Sequence, residues 1–336
     1  MDQSKKPETT RRRVVVITGA SAGVGRAATR AFAKKGYNVG LLARGKDGLE
    51  AATKEVQELG REAVYQLVDV ADAGAVEAAA TYIEGQLGPI DVWVNNAMNS
   101  VFSPIKKMKA EEYKRVTDVT YLGQVNGTLS ALKRMLPRDR GAIVFVGSAL
   151  AYRGIPLQSA YCGAKHAIEG FFDSLRTELI HDKSKVKVSI VQLPALNTTQ
   201  FGFVKSRLPK KPKPMGTIYQ PEVAADAILY AAEHDRREIM VGWSTVKAIV
   251  GNKIAPWYAD RVLANTAIEG QQTNEPEDPG RQHNLWEPIP GDHGVHGSFT
   301  HMAKSSSWEL WLSKNKPMLS WVLLVVVVLL IILLII

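Results

Sequence analysis

Val14-Val15-Val16-Ile17 is a β-rich apolar run that passes directly into Thr18-Gly-Ala-Ser-Ala-Gly-Val-Gly25, with a helix starting near Arg26. Few folds accept that order. The apolar run reads as a strand buried on both faces. Three glycines between strand and helix let the backbone turn tightly and approach a pyrophosphate, whose charge the helix N-terminus meets. Gly19, Ser21, Gly23, Val24 and Gly25 are therefore candidate phosphate-side residues. The spacing Gly-x-x-x-Gly-x-Gly is not the commoner Gly-x-Gly-x-x-Gly, and a purely structural turn is the competing reading.

The pattern then repeats. Strands are expected at Tyr37–Ala43, Ala63–Val68 and Ile90–Val94, ending at Arg44, at Asp69-Val70 and at Asn95-Asn96-Ala97. Amphipathic helices are expected over Ala27–Lys35, Gly48–Leu59 and Gly74–Leu87. Strands alternating with helices make an α/β fold, a doubly wound parallel sheet. After the second strand an NAD-selective site usually carries an acid for the ribose hydroxyls, whereas an arginine accommodates a 2′-phosphate. Arg44 points to NADP.

Ala142–Val146 is a further buried strand, and Ser148 sits just past its carboxyl end, where open α/β sheets place their ligands. Tyr161 and Lys165 follow at i and i+4 and so share a helix face. A hydroxyl, a phenol and an ammonium together can move a proton to or from an alcohol or carbonyl oxygen. A free phenol titrates near ~10. An ammonium ~4 Å away at an effective dielectric of ~20 is worth roughly 4 kcal/mol, enough to bring the phenol towards working pH.

The single cysteine, Cys162, excludes an intrachain disulfide. The net charge of +9 invites a nucleic-acid reading. Its distribution argues for no nucleic acid, since the charges collect in an N-terminal tail, in a proline-rich loop and beside an apolar tail. Met318–Ile336 contains no charged residue, and nineteen residues at 1.5 Å rise span roughly 28 Å, about one hydrocarbon core. Insertion of Val322–Ile336 is favoured by roughly 5–9 kcal/mol. That run reads as a single-pass membrane anchor, and the flanking Lys314 and Lys316 place the folded part on the cytosolic side. His293, His296 and His301 lie among flexible glycines without visible supporting groups, and no metal is assigned to them.

Over residues 14–250 the chain resembles the short-chain dehydrogenase/reductase family, in its single-domain form. The resemblance rests on Thr18 to Gly25, on Asn95 to Ala97, and on Ser148, Tyr161 and Lys165. It implies a seven-stranded Rossmann-type sheet and a homodimer or homotetramer. It also implies Tyr161 as general acid/base, Lys165 lowering its pKa and holding the nicotinamide ribose, and Ser148 orienting the substrate oxygen. Asp69 and Val70 would meet the adenine, and Asn96 with Ala97 the ribose side. Three departures stand out. Thr120 occupies the place of an asparagine and would hold a water with its hydroxyl. Met98 replaces a glycine and narrows the pocket. Pro194-Ala195 replaces Pro-Gly, followed by Thr198 and Thr199, either of which could bind the carboxamide.

The resulting division is a basic disordered tail over 1–13, the dehydrogenase domain over 14–250, a helical extension and linker over 251–317, and the anchor over 318–336. Phe201–Met215 is expected as a lid, and its Lys205, Arg207, Lys210, Lys211 and Lys213 read either as a solvated charged loop or as a face turned to anionic lipid. The amphipathic stretch Ser244–Ala264, with Trp257 and Tyr258, is expected to pack on the core. The chain thus reads as a membrane-anchored, NADP(H)-dependent oxidoreductase interconverting an alcohol and a carbonyl on a small lipophilic substrate. A catalytically weak cofactor-binding scaffold at the membrane is the alternative, with Thr120 in its favour.

Overall fold

The structure, a computed structural model, describes residues 11–315. The expected anchor over 318–336 and Lys316 lie outside the described residues. Among the described residues no helix is long and apolar enough to cross a membrane.

Seven parallel strands form one sheet: β1 (Val14–Thr18), β2 (Asn38–Ala43), β3 (Ala63–Leu67), β4 (Ile90–Asn95), β5 (Ala142–Val146), β6 (Lys187–Gln192) and β7 (Glu238–Met240), in the spatial order β7-β6-β5-β4-β1-β2-β3. The order reverses beside β1, the switch point at which such sheets open a crevice. Helices α1 (Gly23–Lys34), α2 (Lys46–Glu58), α3 (Ala73–Leu87), α4 (Ala110–Thr117), α5 (Gly123–Met135), α6 (Ser159–His181) and α7 (Pro221–Glu233) cover its faces. Each strand alternates its side chains between two cores, so Val15 and Ile17 pack with α1 and α7 residues such as Phe32 and Ile228, while Val14 and Val16 pack with Ile83 and Phe172. Phe145 packs edge-on to Phe172, centroids 5.7 Å apart; full burial of each such ring is worth about 1.5–3 kcal/mol.

Beyond the sheet, α8 (Trp243–Ile254) and α9 (Pro256–Gly270) form a hairpin, and residues 277–299 run back across the carboxyl edge of the sheet. Three expectations change here. The segment 277–299 is no linker, because Leu285 and Val295 bury into separate core clusters and fix its path. The boundary at residue 250 falls inside α8. Trp257 and Tyr258 do not pack on the core: they are 61% and 58% exposed. At the other end, Arg11 and Arg13 belong to the folded body. Arg11 pairs with Asp91 at 2.7 Å, and Arg13 pairs with Glu233 at 2.9 Å and lies over the Tyr37 ring.

Candidate active site

A cavity of about 880 Å³ opens at the carboxyl ends of the strands. At one end lies the turn after β1. Gly19 and Gly23 take φ of +67° and +53°, and a Cβ on Gly25 would stand 2.1 Å from the Gly19 carbonyl oxygen, so the tight approach of α1 to the turn requires glycine there. Asn96 lines the cavity, yet its side chain braces this turn: Nδ2 donates to the Thr18 carbonyl at 2.8 Å. The Thr18 hydroxyl in turn accepts from the amides of Asn96 and Ala97, at 2.9 and 3.0 Å. The Asn96 amide side chain is thus committed to the turn rather than to a ribose.

Ser21, Val24, Arg44, Asp69, Val70 and Ala97 line the same end. Arg44 meets a second guanidinium that no local motif announces. Arg115, from α4, pairs with the Asp69 carboxylate, and Arg44 lies 4.0 Å from that same carboxylate. Burial lowers the Arg44 pKa first, and the Arg115 charge lowers it further. Two guanidiniums sharing one carboxylate suit an additional anion. Together with the glycine turn, these residues fit a dinucleotide carrying a ribose phosphate.

At the other end stand Ser148, Tyr161 and Lys165, all lining the cavity. Ser148 leaves β5 with its amide donating to Gln192 Oε1 at 2.8 Å, and its hydroxyl accepts from the Leu150 amide at 3.1 Å. Gln192 is itself held by Glu169 and Glu238, which also accept from the Tyr152 phenol. Sequence reading missed this polar network behind the trio, because its members come from β6, α6 and β7. Lys165 is buried and donates to the Val146 carbonyl at 2.6 Å. Burial pushes its ammonium down to about 7, while the charge of Glu169 pulls the other way. Its Nζ lies 5.5 Å from the centre of the Tyr161 ring.

The expectation that Lys165 lowers the Tyr161 phenol fails in this geometry. Burial raises the phenol's pKa, and the hydrogen bond with Ser148 opposes that rise only in part. Thr120 also departs from expectation. It lies on a turn of π-helix, Asp118–Leu122, and is fully buried; its hydroxyl donates to the Asn99 carbonyl and accepts from the Asn99 amide, each at 3.1 Å. Both of its bonds go to backbone. Met98, Pro194, Thr198 and Thr199 line the cavity, and Gly25 and Thr120 support it from behind.

The far wall comes from later in the chain. Main-chain carbonyls do most of the holding: Asn284 and Trp286 accept from Arg44, Leu285 accepts from Arg115 and Asn99, and Gly294 accepts from the Gly23 amide at 3.0 Å. Asp292 pairs with the buried Arg26, which also pairs with Glu55. The glycine turn is thereby roofed. The expected lid is pinned as well. Lys205–Ser206 pairs with Val101–Phe102, and Lys210–Pro212 pairs with Gln272–Pro276. Lys205 and Arg207 meet the buried Glu112 at 2.9 and 2.6 Å, and Lys211 meets Glu275 at 2.7 Å. Three of the five basic residues are thus spent on protein carboxylates. Of the histidines, His296 meets Glu222 at 2.9 Å and His293 meets the Ile289 carbonyl at 3.1 Å.

Comparison with known proteins agrees with this geometry. The sequence profile of the short chain dehydrogenases matches residues 13–207. An uncharacterized oxidoreductase of Bacillus subtilis, YxnA, is 35% identical over 283 residues, covering 83% of this chain and 79% of that protein. Dehydrogenase/reductase SDR family member 7 of Homo sapiens is 35% identical over 182 residues, and the match spans 54% of its length. Among solved structures, an alcohol dehydrogenase from the archaeon Thermococcus sibiricus, complexed with 5-hydroxy-NADP, superposes with a TM-score of 0.59 at 30% identity, covering 68% of this chain and 96% of its own. A metagenomic short-chain oxidoreductase in complex with NADP gives 0.57 at 28% identity, with the same coverage.

Proposed function

Because the chain belongs to the short-chain dehydrogenase/reductase family and is an oxidoreductase, we propose that it binds NADP(H) and interconverts an alcohol and a carbonyl on a lipophilic substrate. We further propose that residues 318–336 hold it at a membrane, with the folded part on the cytosolic side. The observation that carries the reading is one cavity with Ser148, Tyr161 and Lys165 at one end and the glycine turn with Arg44 and Arg115 at the other. Both solved relatives named above carry NADP or a hydroxylated form of it. The cofactor supplies the hydride. Tyr161, protonated at neutral pH as a phenol is, gives its proton to a carbonyl oxygen oriented by the Ser148 hydroxyl, or takes one back when an alcohol is oxidised. Leu150, Ile155, Phe201, Val204 and Leu263 line the substrate end and favour an apolar molecule.

The scaffold reading draws on two observations, the commitment of the Lys165 ammonium to Val146 and that of the Gly23 amide to Gly294. One experiment separates the two. Purified protein is given NADPH or NADH with a panel of steroid, retinoid, sphingoid and sugar carbonyls. Oxidation of NADPH by a lipophilic member is expected, and Arg44→Ala should raise the NADPH dissociation constant by roughly 10–100-fold, the value of a lost charge-assisted contact. Binding of NADPH without turnover of any carbonyl would leave the scaffold. Equal affinity for NADH and NADPH would overturn the cofactor assignment.

A further inference from the structure

Helix α9 is nearly unpartnered: of its fifteen residues, Pro256 to Gly270, only Ala267 is buried. Beside the exposed polar residues Asp260, Asn265 and Glu269 it carries a largely apolar stripe. Trp257, Arg261, Ala264 and Ile268 stand at i, i+4, i+7 and i+11, one stripe along the helix, and all four are exposed. Helix α8 carries the same arrangement in Trp243, Lys247, Val250 and Ile254, again all exposed, with Ile254 at 76%. Each stripe reads aromatic, basic, small apolar, isoleucine. The Arg261 guanidinium lies over the Trp257 ring, 5.5 Å from its centre.

Two further observations say what covers this face. The opposite sides of both helices line the cavity, through Ala248, Asn252, Ala255, Ala259, Leu263 and Thr266, while Lys247 and Ile254 of the stripe reach its rim. The stripe is therefore continuous with the mouth of the site. Residues 308–315 are helical, and Trp308 stacks near Trp243, centroids 6.3 Å apart, with Trp308 and Trp311 exposed. This short helix is tied to α7 by Lys314 on Asp226 at 2.7 Å, and the uncharged run Met318–Ile336 follows it in sequence. The short helix that precedes the apolar run in sequence thus starts beside the first residue of the α8 stripe.

We propose that the α8–α9 hairpin is a lipid-docking surface that lies in the headgroup–acyl boundary and opens the cavity to the bilayer. Tryptophan beside lysine or arginine on an apolar helical face is the composition of interfacial helices, the rings at headgroup level and the cations at phosphate level. The hairpin takes the place of the Phe201–Met215 loop as the face turned to lipid, since that loop's cations are largely paired internally. The inference deepens the reading of a membrane-attached reductase and rests on it, yet it concerns a contact that can be measured without turnover.

The test uses the full chain. Cys162 is buried, so Val250→Cys and Ile268→Cys each offer one accessible thiol for an environment-sensitive fluorophore, and Leu67→Cys, on the sheet's β3 edge, is the control. Each protein is reconstituted into phosphatidylcholine vesicles with and without phosphatidylglycerol, and quenching by aqueous iodide is read. Probes at 250 and 268 are expected to shift to the blue and lose iodide quenching several-fold on reconstitution, more so with phosphatidylglycerol, while the probe at 67 does not change. Val250→Glu in the Ile268→Cys protein should restore quenching at 268 with the chain still in the vesicle fraction, and retained NADPH binding would show that it is folded. Equal quenching at all three positions would overturn the proposal. So would protection that appears without vesicles and grows with protein concentration, which marks a second copy of the chain on this face. Docking without any carbonyl reduction would leave the surface standing and remove the reductase reading.

Discussion

The cavity has two walls, and they are held by different kinds of bond. The sheet wall is made of the ends of β1, β4 and β5 and of α6, and a side-chain network stands behind it: Gln192, held by Glu169 and Glu238, accepts from the Ser148 amide, while Lys165 donates to the Val146 carbonyl. The far wall, from residue 199 onward, hangs on main-chain carbonyls at 284, 285, 286 and 294, and on a few ion pairs. A sheet-wall substitution removes a functional group from a fixed place. A far-wall substitution changes how firmly the roof sits. The chemistry is expected to reside on the first wall, and admission and retention of ligands on the second.

The largest effect is expected on the sheet wall. Tyr161→Phe removes the proton donor alone, and turnover should fall by about 10²–10⁴-fold while NADPH affinity stays nearly unchanged. Steady-state kinetics with a fluorescence titration of NADPH reads both. Turnover retained at more than a small fraction would place the chemistry elsewhere and break the contrast between the walls.

Glu112 is where the far wall is bolted to α4. Burial pushes its carboxyl up, but hydrogen bonds from Arg207 and Lys205 outweigh it and hold the group at about 2. A carboxyl with a depressed folded pKa contributes stability that is present above its unfolded value of ~4.5 and is lost as the pH falls towards 2. Glu112→Gln leaves two cations facing a neutral group and should cost about 2–4 kcal/mol at pH 7, less than a fully buried pair because both cations are partly solvated. Denaturant unfolding at pH 7 and at acid pH should show the gap between wild type and variant closing on the acid side. A gap independent of pH would mean that packing, and not the ion pairs, holds this wall.

Thr120→Val comes next. With both of its hydrogen bonds on the Asn99 backbone, loss of the hydroxyl should cost about 1–3 kcal/mol of stability, with turnover per folded molecule unchanged. A lowered rate at undiminished stability would instead restore Thr120 to the proton path, as its place in the sequence had suggested.

The same contrast explains what the sequence made legible. Glycine spacing, a serine past a strand end, and Tyr-x-x-x-Lys on one helical face are local patterns, and they located the sheet wall residue by residue. Arg115, Gln192, Glu169 and Glu238 carry no local pattern, because only tertiary contacts, of α4 with the turn after β3 and of α6 and β7 with β6, bring them to the site. The segment 277–299 looked like a linker for a physical reason. Carbonyl oxygens belong to every residue, so a roof built from them leaves no side-chain signature, and its proline and asparagine content reads as loop. Helix α9 misled differently, since periodicity shows that a face is apolar and not what will cover it. The upward shift of the Tyr161 phenol comes from its burial, which the spacing of Tyr161 and Lys165 does not show.

The smallest effect is expected at Asp292, and it tests the roof itself. Its carboxylate pairs with Arg26 and accepts from the Gly294 amide at 3.1 Å, the residue whose carbonyl takes the Gly23 amide. Asp292→Asn keeps the acceptor for Gly294 and removes only the charge, and Arg26 retains Glu55 at 2.8 Å. The Asp292 side chain is 41% exposed, so solvent screens the lost pair and stability should change by less than about 1 kcal/mol. The roof opens more readily all the same, so NADPH should dissociate faster by no more than about fivefold, the rate equivalent of that energy. Stopped-flow displacement of NADPH measures the rate directly. An effect as large as that of Arg44→Ala would make the roof, rather than the paired guanidiniums beneath it, the cofactor's main hold. No effect at all would mean that the carbonyl contacts to Arg44, Arg115 and Gly23 keep the roof closed without help from this ion pair.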